Sequence, residues 1–216
     1  MSAHNQVRIT EVFYSLQGES NTVGLPTVFV RLTGCPLRCN YCDTAYAFKG
    51  GQLCSIEEVI KQVQRYAPRY VTVTGGEPLA QPACLELLTQ LCDLGFQVSL
   101  ETSGAMSVAN VDSRVIKVMD LKTPSSTEMQ RNCLDNISFL TAKDQVKFVM
   151  ANRNDFDWSV DMMQRYQLAQ RCQVLFSPVY GQLASRDLAA WILKDNLPVR
   201  FQLQLHKIIW NDEPGR

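Results

Sequence analysis

Three cysteines inside eight residues constrain this chain more than any other feature. In the stretch 35–44, CPLRCNYCDT, Cys35, Cys39 and Cys42 stand in C-x3-C-x2-C order, with Asp43 and Thr44 directly after. Thiols at this spacing can converge on one metal centre, and the intervening Pro36, Arg38 and Asn40 suit a loop rather than a buried helix. The count of three is the informative part. A structural zinc site closes on four ligands, and a four-iron cube held by four cysteines has no vacant iron. Three ligands on such a cube leave one iron open to a small molecule. The competing readings are a zinc knuckle completed by a distant fourth ligand, or three unrelated core thiols. Ligand spacing argues against both.

The remainder of the composition bounds the setting. At 216 residues the chain fits one domain, 1–216, with a sizeable core. Its 21 basic residues balance 21 acidic ones, so no overall field favours nucleic acid or an anionic membrane, and neither is expected as a partner. No run of about 18 apolar residues is present to span a bilayer. The start, MSAHNQVRIT, lacks a signal-peptide core, so a cytoplasmic location with reduced thiols is expected. Cys54, Cys84, Cys92, Cys133 and Cys172 stand singly among apolar neighbours and read as buried small hydrophobes.

Along the chain, VRITEVFYS (7–15) reads as a strand leading into the turn LQGES, where Gly18 permits a backbone conformation that a side chain opposes. TVFVRLTG (27–34) is a β-branched and aromatic run fitting a buried strand. Arg31 inside it either snorkels from a strand end or anchors an anion; the residues alone do not choose. Ser55 with Glu58 three residues on is a capping-box pattern opening a helix. Strands are expected at 70–74, 96–100, 115–119, 145–150 and 174–176, and helices at 82–95, 154–169 and 186–195. Gly75-Gly76-Glu77-Pro78 follows the strand at 70–74 and precedes a helix, where α/β folds place ligand loops. Polar residues and prolines gather at strand carboxyl ends, as in Asp120-Leu121-Lys122 and Ser177-Pro178. The spacing therefore predicts an α/β fold, an incomplete, laterally open (β/α) barrel of about six mainly parallel strands.

The cysteine loop resembles the signature of the radical S-adenosylmethionine (SAM) superfamily. The order of SLQGE, the cysteine loop, GGE and QLHK resembles the 7-carboxy-7-deazaguanine synthase family over nearly the whole chain. That resemblance implies a 4Fe-4S cluster on Cys35, Cys39 and Cys42, with SAM chelating the open iron through its amine and carboxylate. It implies SAM contacts at Tyr41, Cys42, Asp43, Gly75, Gly76 (with Glu77 a further candidate), Asp120, Leu121, Lys122 and Ser177. It further implies a pterin substrate, 6-carboxy-5,6,7,8-tetrahydropterin, held by Leu16, Gln17, Gly18, Arg31 and Thr74, and Mg2+ on the Thr44 hydroxyl. Reductive cleavage of SAM would give a 5′-deoxyadenosyl radical, hydrogen abstraction at C6, ring contraction and loss of ammonia. A reductase or flavodoxin-type electron donor and a homodimer are implied as partners.

His206 reads as a structural histidine and His4 as part of a mobile tail. The chain departs from the family's commoner pattern in DLKTP, SPVY and QLHK, and in the extension to Pro214-Gly215-Arg216. Two rivals remain: another small radical SAM enzyme, such as a glycyl-radical activase, which would need a broad docking surface, and a non-catalytic zinc module.

Overall fold

The computed structural model describes residues 5–211 together with Glu213 and Gly215. His4, Pro214 and Arg216 lie outside the described residues. The first apolar run forms β1 (Gln6–Leu16), and the β-branched run after the LQGES turn forms β2 (Pro26–Leu32). The two pair antiparallel with Glu11 opposite Arg31. A short strand, β3 (Gln52–Ser55), pairs antiparallel with the start of β1. Four residues are too few to display an alternation, so β3 leaves no trace in the sequence pattern.

From β2 onward every pairing is parallel. The strands are β4 (Tyr70–Gly75), β5 (Gln97–Thr102), β6 (Ile116–Asp120), β7 (Gln145–Met150), β8 (Gln173–Pro178) and the two-residue β9 (Arg200–Phe201). Together they make one sheet in the order β3-β1-β2-β4-β5-β6-β7-β8-β9. Its two ends, β3 and β9, do not pair among the described residues, so the barrel is open as expected. The six expected parallel strands are β2 and β4–β8. The antiparallel pair at one edge and β9 at the other enlarge the sheet.

Helices cover the outer face of this curved sheet. α1 (Ile56–Gln64) starts on the capping box: the Glu58 N–H donates to Ser55 Oγ at 3.2 Å, and the Ser55 N–H donates to Glu58 Oε2 at 2.7 Å. α2 (Cys84–Asp93) follows β4. The helix expected over 154–169 is divided into α3 (Arg153–Arg165) and α4 (Leu168–Arg171). The break falls at Gln167, whose φ of 51° lies in the left-handed region and ends the helical ladder. α5 (Ser185–Lys194) packs beside β8 on the outer face, whereas α6 (Leu205–Trp210) lies on the cavity side.

Two apolar clusters fill the space between sheet and helices. The first is aliphatic, with Val30, Val73, Leu87 and Leu100 fully buried under α1 and α2. The second is aromatic, with Phe148, Phe156, Phe176 and Trp191 meeting edge to face at centroid distances of 5.4–5.8 Å. Cys84 and Cys172 are buried as expected, whereas Cys54, Cys92 and Cys133 are only partly so. Among the described residues no helix is long and apolar enough to cross a membrane. With the cores on the helix side, the polar strand ends and their loops gather around one opening.

Candidate active site

The cysteine loop leaves β2 directly and is fixed by groups other than its thiols. The Arg38 N–H donates to Glu128 Oε1 at 2.6 Å, and its Nη1 donates to the carbonyls of Cys35 and Leu37 at 2.7 and 2.6 Å. The same guanidinium lies 4.3 Å from the Phe48 ring centroid. The Tyr41 hydroxyl reaches across the barrel to the Val149 carbonyl at 3.2 Å and to Thr123 Oγ1 at 3.1 Å. So anchored, the loop turns Cys35, Cys39 and Cys42 onto one cavity of about 580 Å³.

All three cysteines are free of disulfides. Burial raises their thiol pKa values, while the Lys122 ammonium acts on each in the opposite sense. Metal ligation must displace those protons, and a nearby cation favours the thiolate. Among the described residues no three His, Cys, Asp or Glu side chains are drawn together as a single-ion site. Three soft donors spread around one wall, on a backbone already held, fit a cluster-sized centre with three protein ligands.

The glycine turn after β4 packs against this loop. A Cβ on Gly75 would collide with the Leu32 backbone, and one on Gly76 would collide with the Gly34 carbonyl and come within 2.8 Å of Cys35 Cβ. The Glu77 N–H donates to the Gly34 carbonyl at 2.8 Å. Both glycines therefore allow the two loops to touch, and both line the cavity. Glu77 itself does not. Its fully buried carboxylate accepts from Thr102 Oγ1 at 2.9 Å, from the Ser103 N–H at 2.7 Å and from the Leu79 N–H at 3.0 Å. A carboxylate so saturated clamps the turn to the end of β5.

The opposite wall is a linked set of charges that the sequence pattern did not reveal. Lys147 on β7 pairs with Glu19 and with Asp120 Oδ1 (3.3 Å), and Lys122 pairs with Asp120 Oδ2 at 2.8 Å. Burial works against every charge here. The two ammonium groups nevertheless hold Asp120 below the usual carboxylate range, and the carboxylates keep both lysines protonated. Glu101 at the end of β5 is pushed up by burial, against the pull of Lys147. It accepts from Thr74 Oγ1 at 3.0 Å and from Gln17 Nε2 at 3.3 Å.

α6 closes over this wall. The Leu205 N–H donates to the Gly18 carbonyl at 2.9 Å. Gln204 Nε2 donates to Glu19 Oε1 at 2.8 Å and to Asp43 Oδ2 at 3.2 Å, while Lys207 Nζ lies 3.3 Å from Asp43 Oδ2. Burial would raise Asp43, but Lys207 and the Thr44 hydroxyl, which donates at 2.8 Å, outweigh it and hold the carboxyl at about 2. The His206 ring rests on Gly18, where a Cβ would collide with Nδ1 and come within 2.9 Å of Cγ. Gly18 is thus explained by close approach. Its φ is not positive, contrary to the turn conformation expected for it.

Of the residues singled out from sequence, Leu16, Gln17, Gly18, Arg31 and Thr74 line the cavity, as do Tyr41, Asp43, Thr44, Asp120 and Lys122. Leu121 and Ser177 do not. Leu121 is 1 % exposed within the aromatic core, and Ser177, equally buried, sits inside β8. Leu121 lies between Asp120 and Lys122, which do line it, because successive strand residues point to opposite faces, whereas neither neighbour of Ser177 reaches the cavity. Glu19, Glu101, Lys147 and Gln204 were missed as site residues. The available signals were a carboxylate near the end of β5 for Glu101 and a lone charge inside the apolar run QVKFVM for Lys147; Glu19 and Gln204 stand outside the strands and carried none.

This cavity, at the carboxyl ends of parallel strands and edged by a three-cysteine loop, defines a class. Residues 29–176 match the family model of the radical SAM superfamily, and the chain belongs to that superfamily. The chain is 44% identical to a 7-carboxy-7-deazaguanine synthase of Chlorobaculum tepidum, over 99% of this chain and 98% of that one. It is 40% identical to one of Koribacter versatilis, over 96% and 98%. Within the superfamily, the chain belongs to the 7-carboxy-7-deazaguanine synthase family. Among solved structures, QueE from Escherichia coli superposes with a TM-score of 0.76 at 22% identity, covering 93% of this chain and 95% of that one, a likeness of fold.

Proposed function

We propose that this chain is a carbon–nitrogen lyase converting 6-carboxy-5,6,7,8-tetrahydropterin to 7-carboxy-7-deazaguanine with loss of ammonia. The observation that carries the reading is a single cavity joining the three-thiol loop to a wall of buried carboxylates and amides, with an arginine at its side. When bound, a 4Fe-4S cluster on Cys35, Cys39 and Cys42 and a SAM molecule supply the one-electron reduction and the hydrogen abstraction.

The chain's own residues bind and orient. Gly75 and Gly76 line the cavity beside the cysteine loop, where their backbone groups would meet the cofactor. Arg31 offers a planar fork to the substrate carboxylate. Glu19 and Glu101 supply acceptors suited to the amino and ring N–H donors of an aminopyrimidinone, and Gln17 supplies an amide beside them. The Thr44 hydroxyl, next to Asp43 on the cavity wall, would offer an oxygen ligand of the hard kind that Mg2+ prefers. α6 covers one side of the cavity, which limits water around a reactive intermediate, and a concave site of about 580 Å³ suits a small molecule better than the broad docking surface an activase needs. One domain acting as a homodimer in the cytoplasm, reduced by a flavodoxin-type donor or its reductase, completes the reading.

The test is anaerobic reconstitution followed by incubation with SAM, reductant and the carboxytetrahydropterin. Formation of 7-carboxy-7-deazaguanine and ammonia is expected. SAM cleavage without deazaguanine would remove the substrate assignment, and purified protein carrying zinc without iron or sulfide would remove the enzyme.

A further inference from the structure

We propose that Glu11 is a positioning residue that sets the guanidinium plane of Arg31 for the substrate carboxylate. This inference rests on the reading of Arg31 given above.

Two independent features bring Glu11 to Arg31. The first is backbone. Ile9 opposes Leu32, but Glu11 opposes Arg31, so one extra residue, Thr10, is accommodated on β1. Without that bulge Thr10 would stand across from Arg31. A bulge re-aims the side chains that follow it. Here it is pinned by the contact between Thr10 Oγ1 and Thr33 Oγ1 at 2.8 Å. The second is the side-chain cage. Arg31 Nε donates to Glu11 Oε1 at 2.7 Å, and the Tyr46 hydroxyl donates to the same oxygen at 2.8 Å. The guanidinium carbon lies 5.7 Å from the Phe13 ring centroid and 5.8 Å from that of Tyr46. Phe13 is itself stacked on Phe29 at 4.9 Å with an interplanar angle of 9°.

Nε is one of five N–H donors on a guanidinium. Fixing it fixes the plane carrying the other four, on Nη1 and Nη2, and a planar fork binds a carboxylate well only when it is already aligned. Glu11 does not line the cavity, so it acts through Arg31 rather than on the ligand. A simpler role for Glu11, as counter-charge, predicts the opposite sign. Removing a competing carboxylate would then tighten binding.

Glu11→Ala, Glu11→Gln and Arg31→Ala, in the reconstituted full chain, separate these. Anaerobic steady-state kinetics and equilibrium binding of 6-carboxy-5,6,7,8-tetrahydropterin are the readouts. Glu11→Ala is expected to raise KM and the dissociation constant about tenfold, the scale of rotamer freedom regained by an unheld arginine. Substrate-free SAM cleavage should stay at the wild-type rate. Glu11→Gln keeps an acceptor for Nε and should stay within about threefold of wild type, the rescue that positioning requires. Should Glu11→Ala fail to fold, Glu11→Leu fills the volume and reads the same quantity. Unchanged or tightened substrate binding in the Ala or Leu variant, with Arg31→Ala abolishing it, overturns the role of Glu11 alone. Binding unmoved by Arg31→Ala overturns the reading of Arg31, and this inference with it.

Discussion

The two walls of the cavity are built on opposite plans. The cysteine wall comes from ten consecutive residues, 35–44, and its backbone is anchored by Arg38 and Tyr41 while its three thiols face the cavity. The charged wall draws on Glu19 after β1, Glu101 on β5, Asp120 on β6, Lys147 on β7 and Gln204 before α6, and its groups are already paired with one another. A wall whose soft thiols are to hold a metal cluster needs a rigid backbone and available donors. One that orients a polar molecule needs its charges fixed beforehand, since buried charge without a partner is costly. Losses on the first wall should therefore appear in cofactor content, and losses on the second in stability.

The largest effect tests the first half of that contrast. Replacing Cys35, Cys39 or Cys42 singly by Ala should abolish turnover and reduce iron and sulfide to trace levels. The apoprotein should keep its unfolding free energy within about 1 kcal/mol, since the loop is anchored by other groups. A large loss of apoprotein stability on urea titration would show that the walls are not independent. Next in size is Lys147→Met, which leaves Glu19 without its ammonium partner and Asp120 with only Lys122. A loss of about 3 kcal/mol by urea denaturation is expected, with iron content after reconstitution unchanged. Iron loss in that variant would break the comparison.

Gly18→Ala should cost about 1–3 kcal/mol by overpacking against His206. Combining it with His206→Ala should recover most of that cost, and simple additivity in the double-mutant cycle would refute the contact. The smallest effect is a pH dependence. Asp43 is held at about 2, below its ordinary 3.8, so its contribution is fully present above about pH 4 and is lost as pH falls toward 2. The stability difference between wild type and Asp43→Asn should accordingly be flat from pH 5 to 8 and shrink below pH 4. A difference already shrinking between pH 7 and 5 would show that the Lys207 and Thr44 contacts do not hold Asp43.

The parts of the molecule legible beforehand are those where chemistry repeats at short spacing. Ser55 and Glu58 announce α1, the run 27–34 announces β2, which ends at Leu32, and the cysteine trio announces its loop. β3 leaves no trace because four residues carry no period, and residues 154–169 read as one helix because nothing in the run marks Gln167 as a left-handed residue. Arg31 was recognised while Glu11 was not. Nothing in VRITEVF shows that a bulge at Thr10 shifts the register and sets the two opposite each other.

By itself, then, the sequence determined the periodicity of the parallel strands, the capping box that opens α1 and the spacing of the three thiols, because each depends on neighbours a few residues away. Tertiary structure alone decided which charges pair. It joined Glu19 to Lys147 across 128 positions, turned Glu77 inward as a clamp and placed His206 on Gly18. Those outcomes follow from how a curved sheet brings strand ends together. No local pattern carries that distance.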